Sequence, residues 1–450
     1  MLDRLQQDTC SYFLKHTNRR TGLVQDKAKC RRRWPASIAA TGFGLAAYPV
    51  AVERSFVSRL QAVQRTLTTL RFFWNSPQSE ASDATGYRGF YYHFLDMKTG
   101  RRAWECELST IDSGFLLAGA LAAAAYFDRD SAEEREIRQL ADALYRRADW
   151  QWAQAGGATV SHGWTPERGF LPYRWEGYSE ALVLYALGLG SPTYPLAEAS
   201  YEAWMSSYRW EQAYDKEFLY AGPLFIHQLS HLWIDFREIQ DAFMRARGTD
   251  YFENSRRATY IQQEYAIRNP HGFAGYGEHC WGVTHSDGPG FKARRSSGVT
   301  RSYFGYLPRG VPHGPDDGTL AAWAVITSLP FAPEIVLPTI RHLRTEYPEM
   351  ATQMGFRACF NPTYGARFPK RGPWVCKWHY GLNQGPAVLM IENFRSGLLW
   401  SLMKRCPYLV TGLRRAGFTG GWLSEGPGDE QLRDTASRQS GKMAEQHRTT

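Results

Sequence analysis

Apolar residues recur at helical spacing along roughly a dozen stretches of the chain, at about residues 3–16, 36–50, 56–76, 109–126, 131–154, 178–189, 194–208, 235–247, 250–268, 318–328, 332–346 and 386–403. Strand-like alternation is scarce between them. Two kinds of helix are distinguishable by how far the apolar face extends. ASIAATGFGLAA and FLLAGALAAAA are rich in small residues and apolar on nearly every side, which predicts full burial. SAEEREIRQLADALYRRADW has one apolar stripe and a charged face, which predicts a helix half exposed to water. Twelve helices alternating in this way predict an all-α fold, an (α/α)6 toroid with six inner helices around an axis and six outer helices covering them. The inner helices of such a ring run parallel, so the loops entering them converge on one cavity, with the positive ends of the helix dipoles aimed at it.

No Pro/Gly/Ser linker and no close internal repeat divides the pattern, so residues 1–422 read as one domain. The final stretch, LSEGPGDEQLRDTASRQSGKMAEQHRTT, is polar and lacks apolar periodicity, and a disordered tail is expected over 423–450.

Composition narrows the function class. Of the 450 residues 43% are hydrophobic and 22% charged, which is a globular balance. The 16 Trp, 25 Tyr and 24 Phe often sit beside Gly, Pro and acidic residues rather than inside apolar stripes, a placement that suits a sugar-binding surface. Flat rings stack on the C–H faces of a pyranose while fixed polar groups meet its hydroxyls. The net charge of +9 is spread over short runs such as Arg31 to Arg33, Arg256-Arg257 and Arg294-Arg295, with no basic stripe and no nucleic-acid motif, so a nucleic-acid partner is not expected. Seven cysteines, Cys10, Cys30, Cys106, Cys280, Cys359, Cys376 and Cys406, show no CxxC spacing, which argues for free thiols in a reducing compartment. The N-terminal stretch has no signal-peptide h-region and no run of about 18 apolar residues occurs, so a cytoplasmic protein without a membrane span is expected.

Cleavage of a glycosidic bond needs one carboxylic acid to protonate the leaving oxygen and a second carboxylate to attack or to activate water. Acids entering the predicted helices are therefore the candidates. They lie in ELSTIDSGFLLAG with Asp112, in YRWEGYSEALVLYALGLGSP with Glu176 and Glu180, in GYGEHCWGVTHSDGPG with Glu278 and Asp287, and in HGPDDGTLAAW with Asp316 and Asp317. Ser109 to Asp112 also reads as a capping box, and Asp317 as an N-cap. Glu180 sits just inside a predominantly apolar helix, where a carboxyl needs a partner or a function. His227 and His231 are four apart, a zinc-ligand spacing, but the HExxH glutamate and a third ligand are missing, so no metal is expected. GxSxG and GxxxxGK[ST] are absent.

The segments TGLVQDK, ASIAATGFGLAA, ELSTIDSGFLLAG, GYSEALVLYALGLGSP, GPLFIHQLSHLWIDFR, YGEHCWGVTHSDGP, PDDGTLAAW, SLPFAPEIV and NQGPAVLMIENFRSGLLW, in order from about residue 10 to 403, resemble the glucoamylase-like family. That family contains bacterial endo-β-1,2-glucanases and is related to the transglycosylase domain of cyclic β-1,2-glucan synthases. The resemblance implies an (α/α)6 catalytic domain acting on a glucan, most simply a β-1,2-glucan, without a cofactor. It implies that Glu180, in the GYSE motif, is the general acid, and that Glu278 or Asp112 supplies the opposing carboxylate. Trp175, Tyr178, Trp233, Tyr276 and Trp281 are the rings expected along the sugar subsites, with Glu176, His227, Gln228, Asp235, Asp287, Asp317 and Gln384 as further substrate contacts. Three motifs depart from the family pattern. Ser109 and Asp112 stand for an Asp-x-x-Glu pair, Asn383 replaces the acid of GIDQGP, and an acid is replaced around Cys359. Loss of a water-holding carboxylate favours a sugar acceptor, so two further readings are a transglycosylase working through a covalent glycosyl-enzyme and a glycan-binding pseudoenzyme.

Overall fold

The computed structural model describes residues 1–29, 34–296, 299–365 and 372–424. Cys30, Arg31 to Arg33 and the polar tail beyond Ser424 lie outside the described residues. The small-residue segments form the helices buried on all sides. Ser37 caps Ile38–Glu53, its hydroxyl accepting from Ala40 N, and every residue from Ile38 to Ala51 is buried. Ser109 caps Thr110–Tyr126, buried except at Ala124 and Ala125. Leu182–Leu189 and Ala322–Thr327 are buried at every position, and Gly381–Ser396 over most of its length.

These helices stand side by side. Ile38–Glu53 packs against both Thr110–Tyr126 and Gly381–Ser396; Thr110–Tyr126 also meets Leu182–Leu189, and Gly381–Ser396 meets Ala322–Thr327. The small residues set the spacing of the tightest pair. A Cβ on Gly119 would overlap the Gly42 carbonyl and one on Gly42 would overlap the Phe115 carbonyl, so the two helices cross in backbone contact. Amphipathic helices cover the outside: Arg59–Asn75 lies against Ile38–Glu53, Ala132–Arg147 against Thr110–Tyr126, Pro333–Glu346 against Ala322–Thr327, and Leu2–Lys15 against Gly381–Ser396. The result is a mostly helical, toroid-like arrangement whose apolar core runs between inner and outer helices.

Several elements differ from the periodicity. The stretch 235–247 keeps one turn, Ala242–Arg245, because Glu238 takes a left-handed φ of 65° that no helix accommodates. The stretch 178–189 becomes helical only at Leu182. Gly397, at φ 68°, splits 386–403 into Gly381–Ser396 and Leu398–Lys404, and a further helix, Pro407–Arg415, follows. Strands of two or three residues are also present where almost none was expected. Gly86–Tyr87, Phe90–Tyr92, Leu108–Ser109, Gly163–Thr165 and Gly169–Phe170 form a five-stranded antiparallel sheet, and Lys27–Ala28 pairs with His379–Tyr380. Elements so short carry no readable period. Near the C-terminus Leu423 is buried within the turn Gly421–Leu423. Among the described residues no helix is long and apolar enough to cross a membrane.

Candidate active site

A cavity of about 580 Å³ opens where the inner helices begin. Ser37, Ser109 with Asp112, Glu180, and Leu382 with Asn383 line it from the starts of four of these helices. The short strands bring the rest. The pairing of Lys27 with Tyr380 places Asp26 and Lys27 on one wall, and Gly381 N donates to the Asp26 carbonyl at 2.8 Å. At the edge of the five-stranded sheet, just past Tyr92 and just before Leu108, the backbone bond from His93 N to Glu107 O, 2.9 Å, aligns two titratable side chains that both face the cavity.

Asp26, Glu107, Asp112, Glu180 and Asp287 thus border one volume, with Lys27 and His93 as cations among them. Burial raises the Glu180 carboxyl to about 7; a bond to its own backbone opposes the rise and the Asp112 charge adds to it. Burial also raises Asp26, to about 6, against the pull of Lys27 and His93. For His93 burial acts downward, but Asp112, Glu107 and Asp26 outweigh it and the imidazole is raised to about 9, so it is cationic at neutral pH. Burial pushes the Glu107 carboxyl up, yet the 2.7 Å bond to His93 Nδ1 leaves it below its ordinary value. Asp112 serves two ends at once. Its N–H is capped by Ser109 Oγ at 3.3 Å, one half of a capping box, while its Oδ2 accepts from the Ser109 hydroxyl at 2.5 Å instead of from a backbone N–H and faces the cavity. Asp287 Oδ2 accepts from Tyr380 Oη at 3.3 Å. His285, on the same wall, is lowered to about 4 by burial and by Arg309, so it is neutral.

The walls are aromatic. Trp175 stacks on His162 with ring centroids 3.9 Å apart and is fixed by its Nε1 donating to Thr110 Oγ1 at 3.0 Å. Opposing edges come from Trp34 and Trp104, 5.4 Å apart, with Phe94 5.2 Å from Trp104 and Lys27 Nζ 4.4 Å above Trp34. Flat rings interleaved with carboxylates are what a carbohydrate site requires. Among the described residues no three His, Cys, Asp or Glu side chains gather as a metal site.

Of the candidate residues, the structure brings Glu180, Asp112, Trp175 and Asp287 together on this cavity. Glu180 sits in the turn before Leu182 rather than inside the helix. Glu176 lines an adjoining groove, its Oε1 accepting from Thr159 Oγ1 at 2.9 Å.

The structure places the remaining candidates away from this cavity. Glu278 stands in a turn closed by Gly277 and Cys280, its side chain 70% exposed and away from the cavity. Tyr276 Oη is spent on Asp316 Oδ1 at 2.8 Å, and Trp281 is buried with Nε1 on Thr339 Oγ1 at 3.0 Å. Trp233 is a core ring stacked on Phe43, and Tyr178 packs on Tyr208, His227 and Tyr251 behind the wall. His227 and His231 lie in two successive 3-10 turns instead of one α-helix. His227 Nε2 contacts the Ala221 carbonyl and His231 Nε2 contacts Ser255 Oγ, so the rings do not share a target. Gln228 is committed to Ala324 O and Ser328 Oγ, and Gln384 to Phe356 O. Asp235 pairs with Arg237 and Lys404, and Asp317 with Arg309.

Asp26, Lys27, His93, Glu107, Trp34, Trp104, Tyr306 and Tyr380 were not candidates in the sequence. A usable signal existed for two of them. Asp26 falls in TGLVQDK, one of the segments that carry the resemblance, and Glu107 opens ELSTIDSGFLLAG just before an apolar helix.

Comparison with known proteins agrees with this architecture. A structure from Bacteroides uniformis is 30% identical, covers 94% of this chain and 98% of its own, and superposes with a TM-score of 0.82. The exo β-1,2-glucooligosaccharide sophorohydrolase (non-reducing end) of Parabacteroides distasonis is 28% identical over 92% of this chain, which spans 57% of that relative's length. A solved β-1,2-glucanase from Parabacteroides distasonis is 25% identical, covers 92% of this chain and 59% of its own, and superposes with a TM-score of 0.79. The sequence model of the family described as "Putative glucoamylase" matches residues 172–407, a span that runs from the wall residue Trp175 through Glu180 to the inner helix Gly381–Ser396. With that match, and with the Bacteroides uniformis structure aligned over nearly its whole length, the chain belongs to this glucoamylase-like family.

Proposed function

We propose that this protein is a glycoside hydrolase that cleaves β-1,2-glucan by paired-carboxylate catalysis in the central cavity. The observation that carries the reading is Glu180, a carboxyl raised to about 7 in an aromatic-walled cavity that it shares with Asp112. A carboxylic acid with that pKa still holds a proton near neutral pH and can deliver it to the glycosidic oxygen as the bond breaks. Asp112, facing the His93 imidazolium, is the carboxylate assigned to act on the anomeric centre, directly or through water. The names of the Parabacteroides relatives support β-1,2-glucan as the substrate class. The chemistry needs two carboxylates and water and no cofactor.

The architecture fits the same proposal in detail. Six inner positions of an (α/α)6 ring are filled in chain order by Ile38–Glu53, Thr110–Tyr126, Leu182–Leu189, the 3-10 turns Leu224–His227 and Leu229–Leu232, Ala322–Thr327 and Gly381–Ser396. Residues 1–422 make the catalytic domain. Six described cysteines are free thiols, which supports a reducing, cytoplasmic setting.

Incubation of the protein and of Glu180→Gln with linear β-1,2-glucan and with α-1,4-glucan, followed by chromatography, tests the reading. Short β-1,2 oligosaccharides from the wild type alone are expected. Cyclic or lengthened products would reassign it as a transglycosylase, and binding without product from any glucan as a glycan-binding protein.

A further inference from the structure

Most carboxyls of the central cavity already have a use: Glu107 is bonded to His93, Asp112 to Ser109, Asp287 to Tyr380, and Glu180 is the proposed acid. Asp26 has none. Its backbone is held on both sides, the N–H by Pro35 O at 2.8 Å and the carbonyl by Gly381 N at 2.8 Å and Tyr12 Oη at 3.1 Å, yet among the described residues nothing donates to its carboxylate. Asn383, two residues beyond Gly381, lines the same cavity at 7% exposure, and among the described residues its carboxamide has no protein partner either. We propose that Asp26 and Asn383 act as a carboxylate–amide pair that reads one hydroxyl of the sugar bound in the central cavity, the hydroxyl donating to Asp26 and accepting from Asn383 Nδ2. The inference rests on the hydrolase reading above and adds two residues that select and orient the substrate.

A native polar side chain buried without a partner is uncommon, and two that border one cavity point to a ligand that supplies the missing bonds. Both are carried on fixed backbone. Asp26 directly precedes the strand Lys27–Ala28, which pairs with His379–Tyr380, and Tyr380 leads straight into the helix Gly381–Ser396 that carries Asn383. The start of that helix is packed tightly on the neighbouring inner helix Ile38–Glu53: a Cβ on Gly381 would lie 2.5 Å from Ala40 Cβ, and one on Gly385 2.5 Å from Phe43 Cβ. Groups held in advance bind a hydroxyl at small entropic cost.

The two side chains are complementary. A hydroxyl donates and accepts at once, an ionised carboxylate only accepts, and a carboxamide N–H only donates. The family pattern has an acid at position 383 where this chain has the amide, so Asp26 shares its cavity wall with a donor instead of a further negative charge. The contact needs Asp26 ionised. Burial raises its carboxyl to about 6, with Lys27 and His93 as the cations that oppose the rise and Asp112 as the anion that adds to it. The Tyr12, Tyr306 and Tyr380 hydroxyls, all raised by burial, stay neutral around it. Recognition is therefore in place above pH 6 and is lost as pH falls through that value.

The test uses the full chain, linear β-1,2-gluco-oligosaccharides of one length, either intact or deoxygenated at one of the free hydroxyl positions of the glucose units, and the variants Asp26→Ala, Asp26→Asn, Asn383→Ala and Asn383→Asp. Asp26→Ala is expected to lower kcat/KM roughly ten- to hundredfold and Asn383→Ala roughly three- to tenfold, the worth of a charged and a neutral hydrogen bond. One deoxy substrate should cost the wild type a factor similar to the Asp26→Ala loss and cost that variant little more. Asp26→Asn keeps the shape and removes a buried charge, so its fold is expected to survive; the acid limb of kcat/KM, near 6 in the wild type, should move to lower pH in it. In Asn383→Asp the limb should move to higher pH, because the added carboxylate opposes ionisation of Asp26. Variants that match the wild type in kcat/KM and pH profile, or deoxy losses that multiply with the Asp26→Ala loss at every position, would overturn this inference and leave the hydrolase reading standing. A wild type that cleaves no glucan would remove both.

Discussion

Nε2 of His93 lies 3.7 Å from Oδ2 of Asp112, while its Nδ1 is held 2.7 Å from Glu107 Oε1. The imidazole is further braced by stacking on Phe94, with centroids 4.0 Å apart. A cation is thereby fixed among the cavity carboxylates, and its charge opposes their protonation, Asp26 among them.

His93→Gln keeps a polar side chain but removes this charge. The protonated forms of the neighbouring carboxylates then gain, so the acid limb of the kcat/KM profile is expected to move to higher pH, with kcat reduced roughly tenfold or more. The folded imidazole is raised to about 9 from an ordinary 6.5, so its stabilising contribution is complete below about 6.5 and is lost as pH rises through 9. The difference in Tm between wild type and variant should accordingly be largest near pH 6 and vanish near pH 10. An unchanged pH profile would assign His93 a packing role alone.

Glu180 has the opposite linkage. The unfolded carboxyl ionises at its ordinary 4.5, whereas the folded one keeps its proton to about 7, so folding is penalised increasingly as pH rises from 4.5 through 7. Glu180→Gln removes that penalty. The variant should lose roughly two to four orders of magnitude in kcat/KM, yet unfold at higher denaturant than the wild type at pH 8, by on the order of 1–3 kcal/mol, with the gap closing toward pH 4. In the wild type, kcat/KM should fall on the alkaline side with a midpoint near 7. Equal stability of the two proteins at pH 8 would mean that Glu180 is solvated and unsuited to be the acid.

Glu278→Gln separates the motif from the geometry. With its side chain 70% exposed and outside the cavity, Glu278 should tolerate the change with kcat and KM within about twofold of wild type. A loss comparable to that of Glu180→Gln would require a rearrangement that carries the 277–280 turn into the cavity, and would restore Glu278 as a catalytic candidate.

The contrast between Glu180 and Glu278 indicates how much of the site is legible in sequence. Asp112 and Glu180 enter or flank helices so poor in polar residues that their position at a helix start follows from the pattern. Glu278 sits among Gly, Tyr and Trp that looked equally special, but there Tyr276 serves Asp316 and Trp281 fills the core, so the cluster is structural. His93, Asp26 and Tyr380 were not legible because strands of two or three residues bring them in. The Lys27 to Tyr380 pairing joins residues 353 apart and leaves no local period to detect. The four-residue spacing of His227 and His231 misleads in another way, because successive 3-10 turns stand where an α-helix would have aligned the two imidazoles.

Arg309 and Asp317 form a pair whose side chains are both fully buried, and the pair supports the cavity from behind. Asp317 takes Arg309 Nε at 2.8 Å and Nη2 at 2.9 Å, together with Phe304 N at 2.8 Å, while Arg309 Nη1 reaches the carbonyls of Ser286 at 2.8 Å and Asp287 at 3.2 Å. The guanidinium thus ties the backbone that presents Asp287 to the turn leading into Ala322–Thr327. Asp317→Asn preserves the shape but leaves a buried cation without its counter-charge, a change that costs about 3–5 kcal/mol where no other anion or water moves in. Urea unfolding at pH 7 should register that loss. Substrate KM should rise as well, because the Asp287 segment loses its anchor. A stability change below about 1 kcal/mol would mean that a neighbouring carboxylate takes over the pairing, and the expected rise in KM would then be absent too.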